Sequence, residues 1–261
     1  MTEISAAMVK ELRDATGAGM MDCKRALVET EGDVERARTL LREKGMASAA
    51  KRADRETKEG IVLVRDSGST ATIVAIGCET EPVSKNDDFR AFAGAVLDAV
   101  EADGDDVVST LDGRRVELTA RLGENIQVVG ARRLTAGEGE LFATYVHLGR
   151  VGVIVQGKGS PEVARQLAMH ISFARPLYRA RDEVPADLIE AEREILLKQE
   201  DVQSQPEEKR SLIVEGRLNK FFFGPTVLND QAWIHDDKFA VAKALSQGGF
   251  ELFDYVWLAV S

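Results

Sequence analysis

The chain has 261 residues, 44% hydrophobic and 30% charged, with 34 Lys and Arg against 44 Asp and Glu for a net charge of −10. That length and composition fit one or two compact units with a real core and exclude a disordered chain. The acidic balance argues against a protein that coats nucleic acid or an anionic membrane, since both require a basic footprint.

No apolar run approaches the ~18 residues of a membrane span. The start, Met1-Thr2-Glu3-Ile4-Ser5, has no basic segment followed by an apolar one, so no secretory leader is expected. Cys23 and Cys78 are far apart in sequence. One disulfide or two free thiols both fit, and free buried thiols in a reducing compartment are the preferred reading. A soluble cytoplasmic protein is expected.

Residues 1–55 hold 11 basic and 10 acidic side chains, while the remainder holds 23 and 34. The charge shift coincides with a change of pattern and sets a first boundary at residue 55. Met8, Val9, Leu12 and Ala15 repeat at helical spacing behind Ser5 as N-cap, and Gly17 and Gly19 should stop that helix. A second helix fits residues 21–30, with Cys23, Ala26 and Leu27 inward. Gly32-Asp33 then breaks and recaps the chain. A third helix is predicted over residues 34–43, ended by Gly45.

The pattern then turns to β. Residues 60–64 and 71–76 flank Asp66-Ser67-Gly68-Ser69 as a hairpin, and a helix is predicted over residues 87–100. The motif recurs about 81 residues later. Residues 142–146 and 151–155 flank Leu148-Gly149-Arg150, and a helix begins near Pro161. Two hairpin-plus-helix units point to a duplicated α+β core. Residues 186–223 are helical and charged with a break at 203–206, which reads as a projecting antiparallel helical hairpin. Residues 250–260 should return as a strand, with no regulatory tail after it. The expected division is residues 1–55, 56–139 and 140–261, with the hairpin at 186–223.

Catalytic patterns are scarce. His147, His170 and His235 have no ligand spacing, and neither a Cys-x-x-Cys nor a Gly-x-Ser-x-Gly occurs, so no metal site or serine nucleophile is expected. His170 reads as a packed helix residue. Gly157-Lys158-Gly159-Ser160 approximates a phosphate loop, but the residue after the lysine is glycine where a hydroxyl should hold magnesium. A tight strand-to-helix connection is preferred over a nucleotide hydrolase. The other informative residues are exposed-looking apolar ones beside turns: Met20, Met21 and the pair Trp233-Ile234. Core filling and partner contact are both open for the methionines.

Leu12-Arg13-Asp14-Ala15-Thr16-Gly17-Ala18-Gly19-Met20-Met21-Asp22-Cys23-Lys24-Arg25-Ala26-Leu27 resembles the N-terminal signature of the bacterial elongation factor Ts family. Gly32-Asp33, Leu41 to Gly45, Met169-His170-Ile171 with Pro176, and Val214 to Phe221 continue the resemblance along the chain. It implies a three-helix ubiquitin-associated-like domain, two related α/β subdomains with small antiparallel sheets, and a helical-hairpin insertion. It further implies guanine-nucleotide exchange on elongation factor Tu, with no cofactor, no chemistry of its own and no nucleic-acid or membrane contact. By position it implies that Met20, Met21 and Lys24, the loop Thr80-Glu81-Pro82-Val83, His147, and Trp233 with Ile234 touch that GTPase. The family loop reads Thr-Asp-Phe-Val, so Glu81 keeps the acid and Pro82 replaces the ring. Pro82 is then either a smaller wedge or the residue that closes a turn, and His147 either an interface residue or a solvent-facing one. A non-exchanging binding module is the alternative reading.

Overall fold

The computed structural model describes residues 4–260. Met1, Thr2 and Glu3 of the start, and Ser261 at the end, lie outside the described residues. The chain divides into two compact units. One takes residues up to 135 with 146–152 and 258 onward; the other takes 136–145 with 153–257.

Three helices come first: α1 Ala6–Thr16, α2 Met20–Glu29 and α3 Val34–Ala50. Their ends follow the capping chemistry of the sequence. Ser5 Oγ accepts the Met8 N–H at 3.2 Å and Asp33 Oδ1 the Arg36 N–H at 2.9 Å. Each thereby satisfies an amide that a first helical turn leaves unpaired. Gly17 closes α1 at φ 67°, its N–H returning to the Arg13 carbonyl at 2.7 Å. Val9, Leu12, Cys23, Ala26, Leu27 and Ala37 make the small core. The stop expected at Gly45 is corrected: α3 runs on to Ala50. A Cβ at Gly45 would lie 2.8 Å from that of Ala120, so the glycine serves close packing, which outweighs its poor helix propensity.

The first unit continues with β1 Glu59–Asp66, β2 Thr70–Cys78 and β3 Gln127–Thr135, antiparallel in the order β1-β2-β3. Central β2 is buried from Ala71 to Cys78. Between β2 and β3 lie α4 Glu81–Ser84, α5 Asp87–Asp103, a 3-10 turn Asp105–Leu111 and α6 Asp112–Leu122. Phe89, Phe92, Ala93, Val96, Leu97 and Val100 form the inner stripe of α5 and pack on Val74, Ile76 and Cys78. Each large apolar side chain so buried stabilises the fold by ~1.5–3 kcal/mol.

The second sheet is β4 Leu141–His147, β5 Val151–Gly159 and β6 Phe250–Ala259, in the order β4-β5-β6. α7, Pro161–Ala174, follows its central strand behind a Ser160 cap, and Ala164, Leu167, Ala168 and Ile171 join its core. Helix-after-central-strand thus occurs twice, in an α+β chain. Over residues 186–223, where two helices and a polar turn were expected, the chain forms more pieces. They are α8 Ala186–Leu197, α9 Glu200–Gln203, α10 Glu207–Arg217 and a π turn Leu218–Phe223. Val202 of the extra helix α9 is fully buried with Leu196, Val214 and Leu218, which holds the connection down. After α11 Gly224–Thr226 and a loop, α12 Val241–Gly248 leads into β6.

Candidate functional site

Met20, Met21 and Lys24 sit on the first two turns of α2. Gly17 and Gly19 turn the chain into this helix, and Cys23 fixes the turn from below, its thiol 3.7 Å from the Ala18 carbonyl. Both methionines are exposed, Met20 at 46% and Met21 at 63%, which decides against core filling. Lys24 is exposed and forms no ion pair among the described residues. Positions 20, 24 and 28 align along one helix face. Exposed Val28 therefore extends the strip, a neighbour that helical spacing from Lys24 would have found.

Thr80, Glu81, Pro82 and Val83 form the end of the strand-to-helix turn and the start of α4. Glu81 and Pro82 are exposed, with Pro82 in the first turn, where its missing N–H costs nothing. The Glu81 carboxylate is 2.7 Å from Lys85 Nζ, and that hydrogen bond holds it below the usual carboxylate range, with the charges of Lys85 and Arg150 adding to it. Preceding the turn, burial pushes the Cys78 thiol up to about 12, and the Glu124 charge adds to it. Cys23 and Cys78 are both free and buried, as expected.

His147 ends β4 and is exposed. Its turn is pinned within the first unit. Leu148 and Gly149 take positive φ, and the Gly149 carbonyl accepts the Val62 N–H at 2.8 Å. Arg150 reaches Glu59 at 2.7 Å, and its charge is felt by both Glu81 and Cys78. The turn bearing His147 and the 80–83 loop are thus electrostatic neighbours in one unit.

Trp233 and Ile234 belong to the second unit and part company there. Ile234 is 42% exposed, but Trp233 is 5% exposed and packs in the core, so its exposed-looking setting among polar neighbours is corrected. The tryptophan stacks on the His170 ring at 5.2 Å. His170 is fully buried, as its helix position suggested. Its Nδ1 accepts the Ile234 N–H at 3.4 Å, which leaves the proton on Nε2 to donate to Gln231 Oε1 at 2.9 Å. Burial lowers its pKa, the bond to Gln231 raises it, and the His235 charge lowers it further. This buried clamp, invisible in the spacing, sets the loop that presents Ile234.

The Gly157-Lys158 segment lies inside β5. A Cβ at Gly157 would meet the Glu251 carbonyl at 2.2 Å, and one at Gly159 the Gly249 carbonyl at 2.0 Å. These glycines let β5 approach β6, and the phosphate-loop reading finds no support.

The family model described as Elongation factor TS matches residues 79–261. "Elongation factor Ts" of Vibrio vulnificus (strain YJ016) is 38% identical over 260 residues, covering 98% of this chain and 91% of that protein. That of Idiomarina loihiensis is 39% identical over 264 residues, covering 97% and 89%. That of Shewanella amazonensis is 38% identical over 260 residues, covering 98% and 90%. The class so defined is that of α+β translation elongation factors. Within it, the chain belongs to the elongation factor Ts family. Among the described residues no helix is long and apolar enough to cross a membrane.

Proposed function

We propose that this chain is a cytoplasmic guanine-nucleotide exchange factor that speeds GDP release from elongation factor Tu. A GTPase of this type holds its nucleotide through backbone amides, a lysine and magnesium. An exchange factor needs no chemistry of its own. It binds the nucleotide-poor conformation more tightly than the nucleotide-bound one, and by linkage each ligand weakens the other equally. In this reading the three N-terminal helices act as the ubiquitin-associated-like domain, residues 56–139 and 140–261 as related subdomains, and residues 186–223 as a helical-hairpin insertion. Met20, Met21 and Lys24, the Thr80–Val83 loop, His147, and Ile234 backed by Trp233 contact the GTPase, without nucleic acid or membrane.

The observation that carries the proposal is the exposed Glu81-Pro82 pair on a fixed turn in a chain of this family. A proline ring on a helix start is a rigid apolar prop, smaller than an aromatic ring. Catalytic amounts of the chain should accelerate release of fluorescent GDP from its cognate elongation factor Tu. Release at the spontaneous rate across a range of magnesium would sink the proposal. The Lys85 partner of Glu81 favours a second reading, in which the loop only closes a turn and the chain binds without exchange. A pull-down run beside the release assay separates the two.

A further inference from the structure

We propose that Glu124 is a positioning residue. With Glu79 it clasps the loop that carries Glu81 and Pro82, and through Asn125 the clasp extends to the linker from the N-terminal helices. The proposal rests on the exchange reading for what the loop does, and on geometry for what holds it.

Glu79 and Thr80 come after the end of β2 at Cys78, so no strand partner takes their amides. The half-buried Glu79 amide requires an acceptor, and the exposed Thr80 amide gains a charged one in place of water. Glu124 Oε2 supplies it to both, accepting the Glu79 N–H at 3.1 Å and the Thr80 N–H at 3.0 Å, while Oε1 accepts the Thr80 hydroxyl. Thr80 is the N-cap of α4, yet its hydroxyl makes no capping bond; it is turned to Glu124 instead. The clasp is reciprocal: Glu79 Oε1 accepts the Asn125 N–H at 2.6 Å. Hydrogen bonds to a carboxylate are roughly twice as strong as neutral ones.

Asn125, only 1% exposed, then carries the hold onward. Its Nδ2 donates to the carbonyls of Ala53 at 3.2 Å and Arg55 at 2.7 Å, and Arg55 Nη1 faces the second Glu79 oxygen at 3.4 Å. Glu124 and Asn125, adjacent in sequence, therefore anchor the contact loop with one side chain and the linker with the next. A loop held in its docking geometry before binding loses less freedom when it docks.

The test compares the full chain with Glu124→Ala, Glu124→Gln and Glu124→Asp. It reads amide hydrogen exchange in the free chain and GDP release from elongation factor Tu. For Glu124→Ala, exchange at the Glu79 and Thr80 amides should rise about 10-fold while β2 amides hold, as expected for losing charge-assisted hydrogen bonds. Its saturating release rate should fall by about the same factor, with the half-saturating concentration within about 3-fold, the pattern of a lost transition-state contact. Glutamine keeps a carbonyl for the two amides and an NH2 that the Thr80 hydroxyl can accept from, so Glu124→Gln should stay within about 3-fold of the natural chain in both readouts. Unchanged amide exchange in Glu124→Ala overturns the proposal, as does a loosened loop with an unchanged saturating rate, or Gln as impaired as Ala. Should Glu124→Ala not fold, Glu124→Asp, one methylene short, should be slow where Gln is not; equal rates overturn it. If the natural chain itself does not accelerate release, the exchange reading has failed, and amide exchange alone decides the clasp.

Discussion

Ile234 and Trp233 show how burial separates neighbours that look alike in sequence. Ile234 faces solvent, so Ile234→Ala should leave the unfolding midpoint nearly unchanged, and under the proposed function it should weaken binding to elongation factor Tu. Trp233→Ala empties a core site, and such truncations cost ~3–5 kcal/mol. Its binding defect should therefore appear together with a lower denaturation midpoint, and a Trp233→Ala protein of natural stability would contradict the packing. The His170 clamp behind them gives a pH dependence. Its folded pKa is lowered below the ordinary 6.5, first by burial, so the unfolded chain binds the proton more readily. The contribution is fully present above pH 6.5 and is lost as pH falls from there toward the folded pKa, with a slope of at most ~1.4 kcal/mol per pH unit for one proton. Urea titrations between pH 7.5 and 5 should show that loss. A His170→Gln protein, though less stable at neutral pH, should show a shallower slope.

At the level of elements, two glycines in helices have opposite meanings. Gly45 lies where α3 meets Ala120 of α6, whereas a Cβ at Gly216 in α10 would meet nothing within 4 Å. Gly45→Leu should overpack the contact and cost ~1–3 kcal/mol, while Gly216→Ala should gain ~0.5–1 kcal/mol from helix propensity. Equal shifts for both in urea unfolding would show that α3 does not need the close approach. The same contrast explains what the sequence could reveal. Ser5, Gly17, Asp33 and the Asp66–Ser69 turn act on residues within four positions of themselves, so their caps and turns were legible. Gly45, Trp233 and Glu124 depend on partners far along the chain, and no local pattern encodes those. Of the candidate site, the turn beside the methionines left core and surface both open, the same signal misplaced Trp233, and the side chains that hold the loops gave no signal at all. Glu124 reaches residues 44 and 45 positions away.

For the whole molecule, charge and linkage frame what the proposed exchange requires. The N-terminal 55 residues are nearly neutral, while the rest carries the acid excess. In the proposed exchange, contact through α2 would rest on exposed Met20, Met21 and Val28 with one lysine rather than on bulk charge, and should be only weakly salt dependent. Reciprocity gives the sharper test. If saturating chain lowers the affinity of elongation factor Tu for GDP by some factor, saturating GDP must lower its affinity for the chain by that same factor. The two factors are measured independently, one by GDP titration with and without chain, the other by chain titration with and without GDP. Pro82→Phe, which restores the ring found in the family loop, should enlarge both factors together if the loop acts as a wedge. An increase in neither would leave Pro82 as a turn residue. Chain affinity indifferent to GDP would remove exchange altogether, because a ligand that binds both states equally shifts nothing however tightly it binds.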